Sequence, residues 1–88
     1  LNSPMVLEQT HLWGARLCRD TPGQSAEARV GRLYLETFAR LPSDEERISA
    51  LTFLRECAAE ARVPEDSPQL WGDLCHVLVN TKEFFYVR

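Results

Sequence analysis

The sequence lacks an excess of basic residues. Ten Lys and Arg stand against thirteen Asp and Glu, a formal net charge of -3. A nucleic-acid binder needs cations to neutralise phosphates, so the balance argues against that class. No apolar run approaches the ~20 residues that span a bilayer as a helix, which excludes membrane insertion by that route. Glycine is sparse: Gly14, Gly23, Gly31 and Gly72 are scattered, and no glycine-rich loop is present to cradle a phosphate. No nucleophile elbow occurs. Cys18, Cys57 and Cys75 are odd in number and widely spaced, which is not a disulfide framework. They read as small hydrophobes. No low-complexity segment or internal repeat is found. No signal peptide and no initiator Met are present, and the chain opens "LNSP". The expectation is a piece of a longer protein, whose compartment cannot be read from targeting signals.

The 88 residues are 44% hydrophobic and 26% charged. That is ordinary globular composition and a length suited to one domain, 1–88, with a modest core. Proline and cap chemistry divide it into four helices, at about 4–20, 26–40, 44–62 and 68–80. Ser3-Pro4 opens the first, the serine as N-cap and the proline where its missing N–H costs nothing. At about 100° per residue, Val6, Leu7, Thr10, Trp13, Gly14, Leu17 and Cys18 share a face. Ser25 caps the second, with Ala26, Val30, Leu33, Tyr34, Thr37, Phe38 and Leu41 inward. Arg29, Arg32, Glu36 and Arg40 lie opposite, with Glu36 and Arg40 spaced i,i+4. Pro42 terminates it. Ser43 and Glu46 have capping-box spacing at the start of the third, whose stripe is Ala50, Leu51, Leu54, Cys57, Ala58 and Ala61. Small residues there suggest close packing. Ser67-Pro68 opens the fourth, with Leu70, Trp71, Leu74, Val77, Leu78, Thr81 and Phe85 inward and an interruption expected at Asn80 or Thr81. The fold class is therefore all-α, a compact four-helix bundle-like domain.

The stretch "GDLCHV" holds the adjacent pair Cys75-His76, the second half of a haem-attachment motif. The first thiol of that motif falls at Gly72, so covalent attachment fails on spacing. Neighbours on a helix point about 100° apart, whereas helical chelating pairs use i,i+3 or i,i+4 spacing. Cys75 reads as a core-edge thiol and His76 as a solvated imidazole. His11 lies at the edge of its helix's inner face and can meet a carboxylate in space, though no spacing identifies one. Ser3, Ser25, Ser43 and Ser67 read as caps, and the acids of "SDEE" and "PED" as capping and solubilising groups. A helix-turn-helix reading of the second and third helices would put Arg29, Arg32 and Arg40 on phosphates. It would also bring Asp44, Glu45 and Glu46 to the DNA. No catalytic, cofactor-binding or metal-binding residue is assigned. Leu12, Leu35, Phe53 and Val79 each fall outside their helix's inner stripe. Isolated exposed apolar residues are normal, but in a fragment these four are candidates for a docking surface.

Three blocks of the sequence resemble a known family. "LNSPMVLEQTHLWGARL" is similar to the family's "LNSPFVxEQARxxAxRL", "RVGRLYLETFARLPSDEERISALTFL" to "RIxRxYxLALGRxPTxEExxxALxFL", and "WGDLCHVLVNTKEFFYV" to "WxDLCxxLLNxNEFxYV". They occur in the right order and cover nearly the whole chain. The family is a planctomycete-specific domain of unknown function, and the chain resembles its C-terminal part. Arg47 departs from it, standing where the family tends to an apolar residue. The resemblance implies a position at the C-terminus of a large secreted or periplasmic protein, often one carrying a planctomycete cytochrome c domain. It implies no catalytic residues, and it places any haem in a separate domain. Oxidising surroundings leave the redox state of the three cysteines open. The expected function is a non-catalytic structural or interaction module, without cofactor. Its partner would be the remainder of the parent chain or another protein, not nucleic acid. The alternative is an accessory part of an enzyme or cytochrome-linked electron-transfer protein whose active site lies upstream.

Overall fold

The first three helices begin where cap chemistry places them. In the computed structural model, which describes residues 3–87 and side chains through position 81, the helices are α1 (Pro4–Asp20), α2 (Ala26–Phe38), α3 (Asp44–Ala61) and α4 (Pro68–Val87). Ser3 Oγ accepts from the Val6 amide at 3.3 Å and Ser25 Oγ from the Ala28 amide at 3.1 Å. Ser43 and Glu46 form the reciprocal box: Ser43 Oγ accepts from the Glu46 amide at 3.1 Å, and Glu46 Oε1 accepts from the Ser43 amide at 2.8 Å. At α4 the Ser67 carbonyl accepts from the Leu70 amide at 3.0 Å.

The helix ends differ from expectation. α2 stops at Phe38 because Ala39 turns left-handed, φ 59°, and its amide bonds the Leu35 carbonyl at 3.0 Å. The turn thus precedes Pro42, and Arg40 leaves the helix. The expected Glu36–Arg40 pair does not form: Glu36 takes Arg32, and Arg40 takes Glu46. α3 stops at Ala61, with Arg62 left-handed and the Val63 amide on the Ala58 carbonyl. This is the common αL termination, here without glycine. α4 continues past position 80. Thr81 Oγ1 donates to the Val77 carbonyl at 3.0 Å, so this polar side chain is satisfied by the helix itself and does not end it.

The four helices pack as a compact all-α globule, with no strand among the described residues. The radius of gyration is 12.4 Å, against about 12 Å for a folded chain of this length. The core is Trp71, Leu33, Leu54, Val30 and Cys75, all below 2% exposed, with Leu17, Tyr34, Leu70, Leu74 and Leu78 around them. Most of the expected inner faces are buried. Leu7, Leu41, Ala61, Val77 and Thr81 are not: all five are exposed, Leu41 at 62% because α2 has already ended. Phe85 lies outside the residues with described side chains. Among the described residues no helix is long and apolar enough to cross a membrane.

The most extensive helix pair is α1 with α4. Small residues were expected to draw helices together in α3. A close approach is found instead at Gly14 and Gly72, where the two backbones touch. A Cβ on Gly14 would stand 2.6 Å from Gly72 Cα, and one on Gly72 would stand 2.8 Å from His11 Cα. Neither has room, so glycine is required at both positions.

Candidate functional site

Most side chains that could carry chemistry are committed to the fold. Cys75 is at the core, not at its edge: it is fully buried. Burial pushes its thiol up to about 12, with the Glu36 charge adding to the effect. A thiol so placed stays protonated and serves as packing. His76 is partly buried, not on a freely solvated face. Gly72, the position a first haem thiol would need, is occupied by the α1 crossing. Cys18 and Cys57 are partly exposed and unbridged. Burial raises both thiols. Among the described residues no group of three His, Cys, Asp or Glu side chains could hold a metal ion.

His11 finds the carboxylate that no spacing identified. Its Nε2 lies 2.9 Å from Asp73 Oδ1, joining α1 to α4 beside the glycine crossing, with both side chains 42% exposed. Trp13 Nε1 donates to Glu36 Oε1 at 2.7 Å, and Arg32 Nε donates to Glu36 Oε2 at 3.1 Å. Burial would raise the Glu36 carboxyl, but these two hydrogen bonds outweigh it and hold it low. Arg40 grips Glu46 with two bonds, 2.7 and 2.9 Å. Together with the Ser43 amide, this lowers the Glu46 carboxyl to about 2.

Arg29 departs from its expected outer position. It is 7% exposed, with Nε on Thr21 Oγ1 at 2.9 Å and Nη2 on the Thr21 carbonyl at 3.0 Å. Its guanidinium lies 5.8 Å from the centre of the Trp71 ring. Thr21 is the C-cap of α1, so Arg29 ties the end of α1 to α2 and to the core tryptophan. A recess of about 300 Å³ adjoins it, lined also by Gln24, Glu65 and Asp66. Trp71 Nε1 is buried there without a hydrogen-bond partner. The three arginines that a helix-turn-helix reading assigns to phosphates are thus engaged: Arg29 with Thr21, Arg32 with Glu36, and Arg40 with Glu46.

The apolar residues outside the inner stripes fall in three places. Leu12 and Val79 come together. With Met5, Val6, Trp13 and Arg16 they line a groove of about 490 Å³ between α1 and α4. Leu12 is 59% exposed and Met5 73%. Phe53 lines a different groove, about 440 Å³, with Tyr34, Leu74, Val77 and Leu78. Leu35, 50% exposed, lies on α2 outside both. Of the four, only Leu12 and Val79 line the same groove. Sequence reasoning missed Met5 and Arg16 as neighbours of Leu12. The signal was present in the spacing, because both fall within about 40° of Leu12 on a helical projection. Compared with protein families, curated proteins and solved structures, the chain matches none.

Proposed function

We propose that this chain is a non-catalytic helical interaction module within a larger exported protein, acting through the outer side of α1 and the adjoining part of α4. The observation that carries the reading is the convergence of Leu12 and Val79 on one apolar groove, with Met5 exposed at its margin. Exposed apolar side chains gathered in a concavity favour contact with another surface over water. The ionisable residues described above support the same reading, since their hydrogen bonds and ion pairs join helices or cap them. The resemblance of three sequence blocks to a planctomycete domain supports placement at the C-terminal side of a secreted or periplasmic protein.

The test is binding of the 88-residue chain to the remainder of its own gene product, compared with Leu12→Asp and Val79→Asp variants. Weaker binding by both, with helicity unchanged by circular dichroism, is expected. Unchanged binding overturns the docking reading. Haem added to the chain should give no Soret band, and a stoichiometric band would favour the cytochrome-linked alternative.

A further inference from the structure

The outward face of α1 carries an ordered pattern. Met5, Glu8, Gln9, Leu12, Arg16 and Arg19 fall on one side of the helix and all are exposed. Leu12 is at the middle. Glu8 lies four residues before it and Arg16 four residues after it, so an acid and a base flank an apolar centre at equal distances. Neither charge takes part in an ion pair among the described residues.

We infer that the partner of this face is a second copy of the same chain, with the two α1 helices antiparallel about a two-fold axis through Leu12. This rests on the reading of the α1 face as a docking surface. A two-fold contact requires a self-complementary patch. Reversing this helix about Leu12 places Glu8 of each copy opposite Arg16 of the other, giving two equivalent ion pairs. The Leu12 side chains meet at the axis and cover the mouth of the groove. The charge balance explains why the pairs matter. Each copy carries a net charge of -3, so two copies repel at long range, and the contact needs opposite charges face to face.

One helix face buries less than the ~1,200 Å² at the lower limit of standard interfaces, and exposed ion pairs contribute little each. The association is therefore weak and reversible, and rising salt weakens it further by screening the pairs.

Sedimentation equilibrium of the 88-residue chain should show a monomer–dimer equilibrium at high micromolar to millimolar concentration. Glu8→Arg alone and Arg16→Glu alone each place like charges opposite one another and should abolish it. Mixing the two variants in equal amounts should restore association, as should combining both changes in one chain. Circular dichroism checks that the variants remain helical. Salt titration of the unaltered chain gives a second readout that needs no variant. A chain that stays monomeric throughout overturns the inference, as do single variants that still dimerise, a mixture that does not associate, or association that salt does not weaken. None of these bears on binding to the upstream region, which decides the docking reading separately.

Discussion

Gly14 and Gly72 meet backbone to backbone where α1 crosses α4, and no side chain fits between them. Gly14→Ala would place its methyl 2.6 Å from Gly72 Cα and 2.8 Å from the Trp71 carbonyl carbon. Backbone cannot swing aside as a side-chain tip can. Overpacking of this kind costs about 1–3 kcal/mol or more, read as a lower urea midpoint. Gly31→Ala is the control. It lies within α2 with only a Leu41 methyl at 3.7 Å, and should raise stability by about 0.5–1 kcal/mol through helix propensity.

Arg29 should be far more sensitive than its exposed neighbour Arg32. Arg29→Leu removes both charged bonds to Thr21, leaving its buried carbonyl only the Gln24 amide at 3.2 Å, at a cost of about 1–3 kcal/mol. Arg32→Ala removes exposed pairs and should cost less than about 1 kcal/mol. Equal effects in denaturant titrations would contradict the structural role assigned to Arg29.

Trp71 should tolerate loss of its ring nitrogen better than its size suggests. Its N–H is buried without a hydrogen-bond partner in the protein, and a buried donor left so costs about 1–3 kcal/mol. Trp71→Phe gives up packing but removes that penalty. It should destabilise by well under the about 3–5 kcal/mol typical of Trp→Ala in a core. A loss as large as that of Trp71→Ala, measured in parallel, would indicate a partner for the indole.

Glu46 sets part of the acid stability. Its carboxyl is depressed from 4.5 to about 2 in the folded chain. A group with a depressed folded value stabilises the fold when ionised. That contribution is complete above the unfolded value near 4.5 and is lost as pH falls toward about 2. Glu46→Gln should therefore lower stability at neutral pH and flatten its decline over that window. Denaturation midpoints between pH 2 and pH 6 would show it, and parallel curves would count against it.

The cysteines should separate by reactivity. Cys75, fully buried with its thiol raised to about 12, should react with a thiol reagent only on unfolding, at a rate that tracks global stability. Cys18 and Cys57 are partly exposed and should be modified sooner. Prompt modification of Cys75 in the native chain would place it outside the core.

Much of this arrangement is legible in the sequence because it is local. Ser3, Ser25 and the Ser43–Glu46 box act within one turn, and spacing alone locates them. Most of the inner faces of α1 and α2 follow from periodicity, with Leu7 and Leu41 the exceptions. Three features were hidden for a common reason. Arg29 reaches back to Thr21 across a loop. Ala39 ends α2 by a left-handed turn that alanine does not advertise. His11 and Asp73 are 62 residues apart. Each depends on how helices meet, and local spacing carries no record of that. The candidate surface was only half legible. Leu12 and Val79 converge because α1 packs on α4, whereas Leu35 lies on α2 and Phe53 on α3.

The glycine crossing also governs the order of events during synthesis. It joins the first of these four helices to the last, so this close contact cannot form until α4 has been made. Until then the buried side of α1 waits without its partner, and folding must be completed late and all at once. A nascent chain stalled before α4 should remain open to proteases from α1 through α3.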